Sequence, residues 1–184
     1  MAPPARPHGS LFVAGVLALT LFAACSERPP APAEQAATDS TEAAPAPSLP
    51  PASETTGGDG SMVDLRPLTE QDLAGKLPQE LGCSFAYDSS GSILIAKGNV
   101  NKAERSYAVI NNGGVVEDLQ STSTGGYDGM VEGVTFGGKG LTIEIGKGAR
   151  QQTGNEQVAH TATLTAKRAD GAERVFPGTW TCGP

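Results

Sequence analysis

Residues 157–181 read QVAHTATLTAKRADGAERVFPGTWT, in which two runs of alternating apolar and polar residues flank Asp170-Gly171. Gly, and to a lesser degree Asp, tolerates the positive φ that tight hairpin turns require. Successive side chains of a strand point to opposite faces of a sheet, so each run places its apolar residues on one face. The segment therefore predicts two antiparallel strands, at residues 157–167 and 174–181, joined by a tight turn.

Shorter runs of the same kind precede this hairpin. They are separated by turn-forming segments such as Asn111-Asn-Gly-Gly114 and Gly137-Gly-Lys-Gly140. The further predicted strands cover residues 83–87, 92–97, 105–111, 115–120, 129–136 and 141–146. Eight short strands without a convincing helix among them predict an all-β fold, either a small antiparallel barrel or a sandwich.

Alternation within these strands also predicts the core. Tyr107 with Val109, and Leu141 with Ile143 and Ile145, stand at every second residue and therefore share a face of the sheet. The complete set of expected core residues is Phe85, Ile93, Ile95, Tyr107, Val109, Val131, Phe136, Leu141, Ile143, Ile145, Leu164, Val175 and Trp180.

The N-terminus carries an apolar run, LFVAGVLALTLFAA, at residues 11–24. A helix needs about 20 apolar residues to span a bilayer core, so this run of fourteen is short for a membrane span. It matches the apolar region of a secretory signal peptide, and it ends in two small residues. We therefore predict a signal peptide over residues 1–24.

The end of that run, Phe22-Ala23-Ala24-Cys25, resembles the lipobox of bacterial lipoproteins, with Phe22 where the family usually has Leu. The resemblance implies cleavage before Cys25, lipid on its thiol and new amine, and hence a membrane anchor, since two or more acyl chains hold firmly. In that family, Asp at the position after the cysteine retains the lipoprotein in the inner membrane. This chain has Ser26 there, which implies the outer membrane. The alternative is an ordinary cleaved signal peptide.

The next segment, residues 25–66, is rich in Pro, Ala and polar residues. It offers little apolar surface to offset the entropy of ordering, so we predict a disordered tether. A β-domain should then occupy residues 67–184. It should begin with a short helix at residues 68–75, which Thr69 can cap and which lies against the domain through Leu68, Leu73 and Leu77.

Charge is distributed unevenly between these parts. Residues 25–77 hold three Lys or Arg and nine Asp or Glu, whereas residues 78–184 hold nine and eleven. The acidity thus belongs mainly to the tether, and the domain is nearly neutral. A basic stripe, which nucleic-acid binding needs, is absent from the sequence.

Lipid on Cys25 would leave two of the three cysteines, Cys83 and Cys182, for the domain. They stand in the first and last predicted strands, and an exported protein meets an oxidising environment. We therefore predict a disulfide between them. A redox or metal site is the weaker alternative, because the sequence has no Cys-x-x-Cys and His160 is the single histidine after the leader.

Signals for catalysis are weak. His160 lies within a predicted strand, and Glu117 and Asp118 should point to opposite faces of theirs. The sequence has no Gly-x-Ser-x-Gly nucleophile elbow, and Gly137-Gly-Lys-Gly140 lacks the spacing of a phosphate-binding loop. We predict that the domain is not an enzyme, with no catalytic residues, cofactor or metal.

One loop, Ser121-Thr-Ser-Thr-Gly-Gly-Tyr127, combines hydroxyl groups and glycines with a terminal aromatic residue. It resembles the Ser- and Gly-rich loop of the membrane-bound C-type lysozyme inhibitors, which are small barrels with one disulfide. The resemblance implies that Ser123 and Tyr127 enter a lysozyme cleft. It is confined to this loop and the general layout, because the family's Tyr-x-Cys motif is absent and its loop lies nearer the C-terminus.

These features predict a lipid-anchored envelope protein, facing the periplasm, whose domain is a binding or structural module. Its partners would be the membrane, through Cys25, and an envelope protein or small ligand. A lysozyme inhibitor is the alternative, and a hydrolase is a remote one. An exposed groove would favour binding, a protruding Ser/Gly loop would favour inhibition, and carboxylates clustered in a cleft would favour an enzyme.

Overall fold

The computed structural model describes residues 50–151 and 156–184, so the predicted signal peptide, Cys25 and most of the predicted tether lie outside the described residues. The described part contains short and long strands with two brief helices. In chain order these are β1 (Leu65–Arg66), α1 (Glu70–Leu73), β2 (Leu81–Asp88), β3 (Gly91–Gly98), β4 (Tyr107–Asn112), β5 (Val115–Ser121), α2 (Gly126–Val131), β6 (Thr135–Gly138), β7 (Leu141–Gln151), β8 (Val158–Arg168) and β9 (Glu173–Gly183).

Strands β2 to β9 form a closed antiparallel barrel. Neighbouring strands follow the order β4-β3-β2-β9-β8-β7-β6-β5, and β5 pairs with β4 to complete the ring. The all-β prediction is confirmed, and of its two forms the barrel is the one that the chain adopts. Strand β1 pairs with the last residues of β4, beside the ring.

A disulfide joins Cys83 of β2 to Cys182 of β9. The two residues lie directly opposite each other in the antiparallel register, and both are buried. They are 99 residues apart in the chain, so the bond fixes the seam where the first long strand meets the last. The predicted pairing is confirmed.

Large side chains fill the barrel interior. The fully buried ones include Trp180, Phe85, Phe136 and Phe176. The expected core residues that prove to be buried are Phe85, Ile93, Val109, Phe136, Leu141, Ile143, Ile145, Leu164 and Trp180.

The other four expected core residues correct the prediction. Tyr107 is 40% exposed, and Ile95, Val131 and Val175 are only half-buried. In β3 the register shifts between Phe85 and Ala86 of the partner strand, which leaves Ile93 as an extra residue and turns Ile95 outward. In β9 the predicted core residues Val175 and Trp180 cannot share a face, because they are an odd number of residues apart. Trp180 points inward together with Phe176, and Val175 lies on the outer face.

Helix α2 closes one end of the barrel. Met130 of this helix is fully buried, and its carbonyl accepts a hydrogen bond of 3.1 Å from the Trp180 indole. The strand predicted over residues 129–136 is therefore wrong, since β6 begins only at Thr135. A six-residue helix containing two glycines carries too little helical periodicity to be distinguished from a short strand.

Residues 52–66 close the other end, and we call them the strap. Val63 is fully buried in the core, and the Ser53 amide donates to the Val175 carbonyl at 2.9 Å. Thr56 forms an antiparallel bridge with Glu173. The predicted boundary between tether and domain was therefore placed too late, because these residues, assigned to the tether, pack on the barrel.

The predicted helix at residues 68–75 is present in shortened form as α1. Thr69 and Asp72 form a reciprocal capping box, which confirms the cap expected at Thr69. The segment crosses the outer surface of the barrel, where the Lys76 ammonium lies 2.9 Å from Asp118. The side chain of Val109 points outward from β4, but it too is fully buried, so this part of the outer surface is covered.

Candidate functional site

The predicted Ser/Gly loop is folded against the helical end of the barrel. The Ser121 hydroxyl is buried, accepts a hydrogen bond from the Ser106 amide and donates to the Ser123 carbonyl. The Ser106 hydroxyl donates to the Gly126 carbonyl at 2.7 Å. The space enclosed by these residues is only about 10 Å³. Internal hydrogen bonds therefore hold the loop in place.

The two residues singled out in this loop have different environments. Ser123 is exposed, whereas Tyr127 is half-buried in α2 and its amide donates to the Asn99 carbonyl at 2.8 Å. Burial, and then the neighbouring Asp128 carboxylate, raises the pKa of the Tyr127 hydroxyl. The loop is thus fixed at Ser121 and Gly126, while residues 122–124 between them are exposed.

A surface groove lies near the same end, on the outer face of β2, β3 and β9. Gly82 stands directly opposite Gly183 in the β2–β9 register, so neither strand provides a side chain there. We call this feature the Gly82–Gly183 groove. It encloses about 270 Å³ and is lined by Glu80, Gly82, Cys83, Ser84, Ile95, Lys97, Gln157, Thr181, Gly183 and Pro184.

The strand registers explain which side chains surround the glycine pair. Ser84 faces Thr181 on one side and Ile95 on the other, and Lys97 is the neighbour of Gly82. All of these positions alternate with inward-facing residues and therefore point outward. The groove thus combines two hydroxyl groups, one apolar side chain and one ammonium group.

A second cavity continues from the groove past Glu80, which lines both. It encloses about 330 Å³ and is lined by Pro78, Gln79, Glu80, Leu81, Gly98, Asn99, Val100, Asn101 and Glu104. The amides of Asn99 and Asn101 both donate to the Glu104 carboxylate. Glu104 also binds α2 through its carbonyl, which accepts from the Gly125 and Gly126 amides at 3.0 Å.

Gln79, one of the residues lining this second cavity, has an unpaired side-chain oxygen among the described residues. Its side-chain oxygen is buried and accepts no hydrogen bond from any described residue. A buried acceptor without a donor costs about 1–3 kcal/mol. A donor from solvent or from a ligand in the cavity would remove this penalty.

The ionised groups of the two cavities carry both signs. None of the ion pairs within residues 50–151 and 156–184 includes Lys97 or Glu80. Over the same part of the chain, no set of three or more His, Cys, Asp or Glu side chains could hold a metal ion. The site can therefore offer hydrogen bonds and charged groups of both signs to a ligand.

Other polar residues considered from the sequence do not enter this site. His160 lies in β8 with its Nδ1 3.2 Å from the Gly148 carbonyl. Glu117 accepts a hydrogen bond from Asn112, and Asp118 pairs with Lys76, so the two acidic neighbours serve separate contacts. The groove was missed because its centre consists of glycines.

Comparison with known protein families, characterised proteins and solved structures finds no match for this chain. Among the described residues, no helix has the length and apolar character needed to cross a bilayer.

Proposed function

We propose that this chain is an envelope lipoprotein in which lipid on Cys25 anchors a non-enzymatic β-barrel that binds a ligand in the Gly82–Gly183 groove. The observation that carries the binding function is the groove itself, in which the paired glycines lie among hydroxyl and charged side chains, with Lys97 packed against Gly82 and Gln157 against Gly183. Ligand sites are concave and contain a few placed polar groups, and this surface has both properties.

The cysteines support the anchoring part of the proposal. Cys83 and Cys182 bond to each other, which leaves Cys25 available for lipid. A structural disulfide also fits an oxidising compartment such as the periplasm. Together with the lipobox-like Phe22-Ala23-Ala24-Cys25 and the following Ser26, this favours an outer-membrane protein that faces the periplasm.

The positions of strap and groove suit this arrangement. The strap binds β9 near Glu173 and Val175, whereas the groove lies at Gly183, the other end of the same strand. Eight residues of strand span about 25 Å. The chain therefore enters the described part of the structure at the strap, at the end of β9 opposite the groove.

Mass spectrometry of the mature protein tests the anchoring. We expect a chain that begins at Cys25 and carries the mass of acyl groups, recovered in the membrane fraction. The Cys25→Ser variant should be recovered in soluble form without that mass. A mature wild-type chain that begins elsewhere and lacks acyl mass would contradict the proposal.

The lysozyme-inhibitor alternative gains no support from the geometry of its loop, because internal hydrogen bonds hold Ser121 and Gly126 against the barrel. A lysozyme assay with excess soluble Cys25→Ser chain tests the alternative directly. We expect undiminished lysozyme activity.

A further inference from the structure

The groove and the second cavity together form a shallow, extended surface. The groove crosses β9, β2 and β3, which at about 4.8 Å between strands gives roughly 10 Å, and the cavity prolongs it past Glu80. Gly82 and Gly183 lie on its floor, with the side chains of Lys97 and Gln157 packed against them. A surface of this shape suits a chain molecule that lies flat more than a compact ligand.

A peptide that adds a strand to a sheet needs a free strand edge. Here β2 pairs with β3 and β9, β9 pairs with β2 and β8, and β3 pairs with β2 and β4. The backbone hydrogen bonds beneath the groove are therefore already used. This argues against strand addition, the mode in which main-chain bonds provide affinity.

The side chains of the site favour a ligand rich in hydroxyl groups. Ser84 and Thr181 line the groove, and Asn99 and Asn101 line the cavity. Hydroxyl and amide side chains both donate and accept hydrogen bonds, as sugar hydroxyls do. The two cavities together hold one ammonium group, at Lys97, and two carboxylates, at Glu80 and Glu104, so the site does not favour an anionic ligand.

The buried Gln79 oxygen adds a more specific requirement. Gln79 is one of the residues that line the cavity, and its buried side-chain oxygen has no donor among the described residues. An amide N–H on a ligand would satisfy this oxygen, and the exposed Val100, which lines the same cavity, offers apolar contact to a methyl group. An acylated amino group on a sugar provides both.

From these observations we infer that the groove binds an uncharged oligosaccharide of N-acylated amino sugars, with an acylamino group donating to Gln79. The inference rests on the proposed function, because it names the ligand of the same groove. It does not depend on the lipid anchor.

Binding of defined oligosaccharides to the mature chain, from residue 25 onward and carrying Cys25→Ser, tests this inference. The probes are a tetramer of N-acetylglucosamine and a glucose tetramer of the same linkage, compared by NMR titration of backbone amides. We expect the acetylated probe to shift the amides of Gly82 and Gly183 and to bind at least about tenfold more tightly than the glucose tetramer, as one buried hydrogen bond would give.

Two variants and one control locate the effect. Thr181→Trp places a large side chain in the groove at an outward-facing strand position, where aromatic residues are well tolerated. It should reduce the affinity for the acetylated probe at least about tenfold. Gln79→Met removes the acceptor and should reduce the preference for the acetylated probe. Thr163→Trp changes an exposed residue of β8 outside the groove and should leave affinity within about twofold.

Equal affinity for both tetramers, or affinity unchanged by Thr181→Trp, would overturn the inference. If sugars fail while members of a peptide pool shift the Gly82 and Gly183 amides, the ligand class is wrong and the binding groove of the proposed function stands. If neither sugars nor peptides shift these amides, both fail. Circular dichroism of each variant separates loss of binding from loss of fold.

Discussion

At the residue scale, Gly126 allows helix α2 to pack closely against the barrel. Its φ is +55°, and a Cβ there would lie 2.4 Å from the Asn99 carbonyl oxygen and 2.6 Å from that of Asn101. Its own carbonyl accepts from the buried Ser106 hydroxyl. A methyl group at this position would therefore push α2 away from the loop that lines the second cavity.

We expect Gly126→Ala to lower the free energy of unfolding by about 2–4 kcal/mol, from backbone strain and steric overlap together. Urea denaturation followed by circular dichroism measures it. Gly113→Ala is the matched control, since its φ is +62° and nothing lies within 4 Å of the added Cβ. The control should cost about 1–2 kcal/mol, the strain alone. Equal losses in the two variants would contradict the steric argument.

Burial of individual residues could be predicted only where alternation continued without interruption. Leu141, Ile143 and Ile145 follow one unbroken period in β7 and are all buried, as predicted. In β3 one extra residue at Ile93 reverses the face of Ile95. The sequence does not mark such a bulge, because it depends on how the partner strand aligns.

At the level of elements, the strap contributes buried residues to the core, although its mostly polar composition predicts a disordered segment. We expect Val63→Ala to reduce the free energy of unfolding by about 2 kcal/mol, because it removes two buried carbon atoms and leaves a cavity. The neighbouring Met62 is 62% exposed, so Met62→Ala should change stability by less than about 0.5 kcal/mol. Chemical denaturation compares the two, and similar small effects would mean that the strap is not part of the cooperative fold.

The strap also carries an acid-sensitive contact. The Arg168 guanidinium binds Asp59 of the strap and Asp170 of the β8–β9 turn. Hydrogen bonds from Ser61 and then from Arg168 hold the pKa of Asp59 far below its ordinary value of 3.8, and Arg168 also lowers that of Asp170. A carboxyl group with a lowered folded-state pKa stabilises the fold above its unfolded pKa and loses this contribution as pH falls through the folded value.

We therefore expect wild-type protein to unfold at a higher urea concentration than Asp59→Asn at pH 7. The difference should shrink progressively below about pH 3.8, because the unfolded chain then binds a proton at Asp59 while the folded chain still holds the carboxylate ionised. Urea midpoints of both proteins from pH 7 to pH 2 measure the effect. A difference that does not depend on pH would show that the charge of Asp59 is not involved.

The helices and the strap differ in how far local sequence predicts them. Thr69 and Asp72 predict the start of α1 from the sequence, because a capping box is formed by residues three apart in the chain. Helix α2 and the strap have no such local signal, since α2 is short and glycine-containing and the strap is mostly polar. In the strap, only Val63 and Leu65, spaced two apart, indicate a buried strand-like segment.

For the whole molecule, the groove follows from long-range register. Gly82 and Gly183 lie in strands that are far apart in the sequence, β2 and β9. They meet because the adjoining Cys83 and Cys182 are directly paired. In an antiparallel pair, the residue before one cysteine opposes the residue after the other. The predicted disulfide thus contained the information that locates the groove, although its direct cross-strand pairing was known only from the structure.

The same bond should determine much of the stability of the barrel, since it ties the seam between β2 and β9. In a Cys25→Ser background, replacing both Cys83 and Cys182 by Ala should lower the free energy of unfolding by about 4–5 kcal/mol, the loop entropy for about 100 residues. The urea m-value should rise at the same time, because an unfolded chain without the bridge is less compact and exposes more surface. A loss of stability with an unchanged m-value would instead assign the effect to packing of the two sulfur atoms in the folded core, and would contradict a role in restricting the unfolded chain.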